Sequence, residues 1–107
     1  MLHLNQEEFD RLIQQETPLL VDFWAPWCGY CRRIEGVYDK IGQDYAHLLT
    51  AAKVNIDTEQ ALADREKIEV IPTLVLYRNG KELGSIVAPE SKAMIEDFIR
   101  QSLGLEA

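Results

Sequence analysis

The stretch Leu19-Leu20-Val21-Asp22-Phe23-Trp24-Ala25-Pro26-Trp27-Cys28-Gly29-Tyr30-Cys31 decides how the chain is read. Its first six residues form a nearly continuous apolar, partly β-branched run, the pattern of a central strand covered on both faces. Ala25-Pro26 breaks the run, and from Cys28 to about Tyr45 the residues Ile34, Val37, Tyr38, Ile41 and Tyr45 recur at helical spacing. A buried strand therefore ends, and a helix begins, where the two cysteines stand.

Upstream, the spacing predicts a helix from Asn5 to Glu16. Asn5 is a capping residue, Glu8 completes a capping box, and Leu4 with Phe9 has the spacing of a hydrophobic staple. Phe9, Leu12 and Ile13 are its buried stripe, and Thr17-Pro18 ends it. Downstream, Ala51 to Asp57 reads as a strand and Thr58 to Lys67 as a short helix. Thr73 to Arg78, the turn Asn79-Gly80, and Lys81 to Val87 read as a hairpin. Ser91 caps a last helix whose Met94, Ile95, Phe98 and Ile99 are expected to face inward.

The order is helix, strand, helix, strand, helix, hairpin, helix. Alternation in the first half requires parallel strands joined by crossovers, and the hairpin adds antiparallel strands. The expected fold is one three-layer α/β/α domain over residues 1–107, with a mixed central sheet flanked by four helices. A chain of 107 residues is long enough for one such domain and too short for two.

With 18 acidic and 11 basic residues the formal charge is −7, which favours solubility and argues against a nucleic-acid partner. The only adjacent basic pair is Arg32-Arg33. Residues Met1 to Glu8 contain no basic segment followed by an apolar stretch, and no apolar run approaches membrane-spanning length. The expectation is a cytoplasmic protein with no membrane partner, most simply a monomer.

Two cysteines are too few for a disulfide scaffold, so their spacing carries the information. Two intervening residues suggest redox chemistry or half of a metal site. A structural zinc needs two further ligands; only His3 and His47 remain, neither at ligand spacing, so no metal or other cofactor is expected. Redox chemistry fits the position. Unpaired N–H groups and the positive end of the macrodipole at a helix start favour a thiolate at Cys28, with Arg32 and Arg33 adding positive charge. The thiolate is the attacking species in disulfide exchange. Cys31, three residues on, lies on the same helix face and within reach of Cys28. Cys28 would attack and Cys31 resolve, with Gly29 keeping the approach free of bulk. Asp22 is the other anomaly, since an acid in Leu-Leu-Val-Asp-Phe-Trp is disfavoured by strand propensity and by burial. Buried, it would have a raised pKa and would accept a proton from Cys31; at a strand edge it would simply face solvent.

At this point the chain resembles the thioredoxin family. The likeness runs from about Leu2 to Leu103. It rests on Val21 to Cys31, on Ala52-Lys53-Val54-Asn55-Ile56-Asp57, on Ile71-Pro72-Thr73 and on Asn79-Gly80. The resemblance implies the thioredoxin fold, disulfide-containing proteins as substrates and a thioredoxin reductase or similar electron donor. It implies that Asp22, with Lys53 beside it, serves the resolving cysteine. It also implies that Pro72 is cis and packs on the disulfide, so that the preceding Ile71 backbone pairs with a bound peptide. Trp27, Gly29, Tyr30, Ile71, Pro72, Val70 and Ala88 then line the substrate surface, with Trp24 and Trp27 flanking the site.

Four residues depart from the family pattern. Tyr30 stands where proline is usual between the cysteines, which predicts a less reducing potential. Gly36 replaces a kinking proline and allows a bend without imposing one. Val70 and Ala88 replace glycines, adding Cβ atoms where a partner backbone must pass, and so predict altered recognition by a generic reductase. These departures leave three functional readings: a general protein-disulfide reductase, a relative with a dedicated partner or an isomerase-leaning role, and a non-catalytic binding module on the same fold.

Overall fold

A computed structural model describes residues 1–105; the last two residues of the expected 1–107 domain lie outside the described residues. Among the described residues the elements run β1 (Leu2–His3), α1 (Gln6–Leu12), β2 (Leu19–Trp24), α2 (Gly29–Arg33), α3 (Glu35–Asp44), β3 (Thr50–Asn55), α4 (Gln60–Arg65), β4 (Thr73–Arg78), β5 (Lys81–Val87) and α5 (Lys92–Leu103). The strands form one mixed sheet in the order β1-β3-β2-β4-β5. β3 runs parallel to both β1 and β2, while β4 is antiparallel to β2 and β5. This is the α/β fold with a mixed sheet that the sequence predicts.

Side chains alternate across a sheet, and here the alternation builds two cores. Leu19, Val21 and Phe23 of β2 join Phe9 of α1, Leu62 of α4, and Val75 and Tyr77 of β4 on one face. Phe9 is fully buried and meets Phe23 and Tyr77 edge to face. Burial of such a side chain is worth about 1.5–3 kcal/mol. Leu20 turns to the other face with Leu74 and Leu76, under Tyr38 and Ile41 of α3 and Ile95 and Ile99 of α5. Asp22, two residues after Leu20, shares this second face. So does Lys53, between Ala52 and Val54, whose side chains belong to the first core.

Several boundaries differ from the expectation. The capping box of Asn5 and Glu8 forms, but α1 ends at Leu12 instead of Glu16. The carbonyls of Ile13 and Gln15 accept hydrogen bonds from Gly80 and Asn79 of the hairpin turn (2.7 and 3.0 Å), drawing the chain out of the helix. The helix expected from Cys28 to Tyr45 is divided at Ile34 (φ −89°, ψ 0°) into α2 and α3, giving five helices among the described residues instead of four. Gly36 lies two residues beyond the break, and a Cβ there would meet nothing within 4 Å. Met94 is exposed, unlike its neighbours Ile95 and Ile99. The hairpin runs as expected, with both Asn79 and Gly80 at positive φ, as a tight two-residue turn requires. No described helix is long and apolar enough to cross a membrane.

Candidate active site

Cys28 is the N-cap of α2, reached from β2 through a tight turn closed by its N–H on the Ala25 carbonyl (3.1 Å). The two cysteines are joined as a disulfide, their Cα atoms 5.3 Å apart. That is an ordinary spacing for the bond. The Cys31 N–H points at Cys28 Sγ (3.2 Å), so one orphan donor of the helix start is aimed at the first sulfur. Cys28 is 8% exposed and Cys31 1%, leaving Cys28 the outer sulfur of the pair. Arg32 and Arg33 lie exposed on the following turn.

Four segments meet around this pair. Trp27 is 67% exposed, with its Nε1–H donating to Asp57 Oδ1 (3.1 Å). A Cβ on Gly29 would find open space. The Ile71–Pro72 peptide bond is cis, and the Ile71 carbonyl oxygen lies 4.0 Å from Cys28 Sγ. Pro72 is buried, and its carbonyl accepts from the Ala88 N–H (2.8 Å). Ala88 holds φ at +44°. The Tyr30 hydroxyl donates to the Pro89 carbonyl (2.8 Å), tying α2 to the turn after β5. Val70, 54% exposed, directly precedes Ile71 and lines a groove with Thr73, Glu82 and Val87.

Asp22 is fully buried, and neither carboxyl oxygen has a hydrogen-bond partner among the described residues. Burial pushes its pKa up to about 7 against the pull of Lys53, with Glu35 and Asp39 adding to the rise. Lys53 pairs with Asp22 in the β2–β3 register and is itself 3% exposed. Its ammonium lies 4.3 Å over the Trp24 ring and 3.9 Å from Glu35 Oε1. The buried Tyr38 hydroxyl spans the two strands beneath, 2.8 Å from the Ala52 oxygen and 3.1 Å from that of Leu20.

The thioredoxin family model matches residues 1–101. The chain belongs to the thioredoxin family. It is 35% identical to a thioredoxin of Haemophilus influenzae over 104 residues, covering 96% of this chain and 97% of that one. It is 37% identical to an M-type chloroplastic thioredoxin of Zea mays, covering 94% of this chain and 60% of the maize protein. Among solved structures, a thioredoxin of Plasmodium falciparum superposes with a TM-score of 0.86 at 29% identity, covering 94% of this chain and 98% of that one. With this membership and its bonded Cys28–Cys31 pair, the protein has the chemistry of a thiol–disulfide oxidoreductase.

Against the thioredoxin pattern, the structure brings Cys28, Gly29, Tyr30, Cys31, Ile71, Pro72 and Ala88 together, with Cys31 and Pro72 buried and Trp27 exposed beside Cys28; Val70 adjoins Ile71 but lines a separate groove. Asp22 and Lys53 lie on the inner face of the sheet. Three further residues were not legible in the sequence. Asp57 fixes Trp27, Glu35 holds Lys53, and Pro89 receives Tyr30. Asp57 closes the Ala52–Asp57 block and Glu35 is an acid at the start of α3, but nothing local names their partners. Among the described residues no three His, Cys, Asp or Glu side chains gather as a metal site.

Proposed function

We propose that this protein is a monomeric cytoplasmic protein-disulfide reductase that recycles through a thioredoxin reductase or a similar dithiol donor. The observation that carries the reading is Asp22, buried without a hydrogen-bond partner among the described residues, on the strand that leads into the bonded cysteines. An uncompensated buried carboxyl is costly to a fold, and serving a thiol gives it a use.

In the reduced enzyme the Cys28 thiolate attacks one sulfur of a substrate disulfide, forming a mixed disulfide and releasing one substrate thiolate. The Cys31 N–H aimed at Cys28 Sγ favours that thiolate. Asp22 then takes the proton of Cys31, and the Cys31 thiolate attacks Cys28 Sγ. The mixed disulfide breaks, the second substrate thiolate leaves, and the Cys28–Cys31 disulfide seen here remains. Two electrons have passed to the substrate, and a donor dithiol restores the pair. Ile71, Pro72, Gly29 and Trp27 form the surface for the substrate chain, and a net charge of −7 opposes self-association.

Insulin reduction driven by dithiothreitol tests the reading. Wild-type protein should accelerate it and Cys28→Ser should not; an inactive wild type would favour a non-catalytic module. The side chains of Val70 and Ala88 favour a second reading, a relative with a dedicated partner or an isomerase-leaning role. They add bulk on the surface a partner must cross, so reduction by a generic thioredoxin reductase should be slow. Rapid reduction with ordinary Michaelis behaviour would remove that second reading.

A further inference from the structure

The β2–β3 register sets Asp22 and Lys53 side by side on one face of the sheet, both nearly sealed from water. A carboxylate and an ammonium so placed gain strongly from pairing, because the surrounding dielectric is low. They do not pair. Among the described residues the Lys53 ammonium has its ion-pair contact with Glu35 Oε1 at 3.9 Å and rests 4.3 Å over the Trp24 ring. Both Asp22 oxygens are left without hydrogen-bond partners among the described residues. Glu35 opens α3 immediately after the break at Ile34, with about half of its side chain in solvent.

We propose that Glu35 is a positioning residue for this buried pair, holding the Lys53 ammonium off Asp22 so that the carboxyl is left free to take a proton. The proposal rests on the reading of Asp22 as the proton acceptor for Cys31 and adds what keeps it available. Other groups facing Asp22 act in the same region. Lys53 approaches from β3, and Glu35, Asp39 and the Tyr38 phenol from α3. Glu35 and Asp39 both disfavour the Asp22 carboxylate by charge, but only Glu35 also touches Lys53. Replacing Glu35 with glutamine removes a negative charge and frees the ammonium to swing toward Asp22. Both effects favour the Asp22 carboxylate.

The test is a ¹³C NMR titration of the Asp22 carboxyl carbon in the disulfide form, where the cysteines do not titrate. Wild type, Glu35→Gln and Asp39→Asn are compared. Glu35→Gln should lower the Asp22 midpoint by about half a unit to one unit, and Asp39→Asn by clearly less. An unmoved or raised midpoint in Glu35→Gln, or an equal fall in Asp39→Asn, would overturn the proposal. Both replaced side chains reach solvent, and urea unfolding checks that each variant is native. The pH profile of insulin reduction separates the two claims. If the acid limb follows the Asp22 midpoint downward, Asp22 is the proton acceptor. If the midpoint falls and the limb stays, Glu35 still positions Lys53, and the proton-acceptor role of Asp22 fails alone.

Discussion

The hydroxyl of Tyr30 and the carbonyl of Pro89 are hydrogen-bonded at 2.8 Å, joining residues 59 positions apart across the edge of the cysteine site. Tyr30 lies between the two cysteines, so the bond ties the redox helix to the turn that carries Ala88. A proline at this position makes no such contact. It also restricts the unfolded and dithiol backbone in ways that tyrosine does not.

Tyr30→Phe removes that hydrogen bond while keeping the ring, and should cost about 0.5–1.5 kcal/mol in urea unfolding of the disulfide form. Tyr30→Pro should make the pair more reducing. Redox titration against glutathione should place the wild type above the thioredoxin value of about −270 mV and Tyr30→Pro closer to it. A wild-type potential at or below that value contradicts the role given to Tyr30.

Ala88 sits at φ +44°, where a Cβ crowds the backbone at a cost of roughly 1–2 kcal/mol. Its N–H remains bonded to Pro72, so the conformation is held from outside. Ala88→Gly should raise stability by about 0.5–1 kcal/mol, the relief of strain exceeding the extra entropy of glycine in the unfolded chain. Urea midpoints of the two proteins measure it, and a fall in the midpoint would show that no strain is stored there.

Much of this fold was legible because its signals are local. The hairpin needed only Asn79-Gly80 after the apolar run Thr73 to Arg78, and the start of α1 needed only Asn5 and Glu8. The misread parts were set by contacts across the chain. α1 stops early because the hairpin turn takes the carbonyls of Ile13 and Gln15. The break at Ile34 is invisible in a stripe where isoleucine fits either way. β1, two residues long, has no periodicity to read. At the site, Cys28 and Cys31 announce themselves by spacing. The partners of Trp27, Tyr30 and Lys53 come from elements that only the packed sheet brings near.

The raised pKa of Asp22 is also a statement about stability. The carboxyl titrates near 7 when folded and near 3.8 in its unperturbed state, so the folded protein binds the proton more tightly. Stability from this group is therefore fully present below about pH 4 and is lost as the pH rises through 7. Asp22→Asn removes that loss. Its stability relative to wild type should grow by roughly 2–4 kcal/mol between pH 4 and pH 8, the order set by the rise from 3.8 to about 7. Urea unfolding at a series of pH values reads the difference, and a constant gap would mean that Asp22 is ionised at no cost in the fold.

The central claim is that Cys28 attacks and Cys31 resolves, and the Cys31→Ser variant tests it most directly. Incubated with insulin in its disulfide form and analysed intact by mass spectrometry, reduced Cys31→Ser should accumulate a mixed disulfide through Cys28. Cys28→Ser, treated identically, should accumulate little. Trapping through Cys31 in Cys28→Ser, with none through Cys28 in Cys31→Ser, would contradict the account.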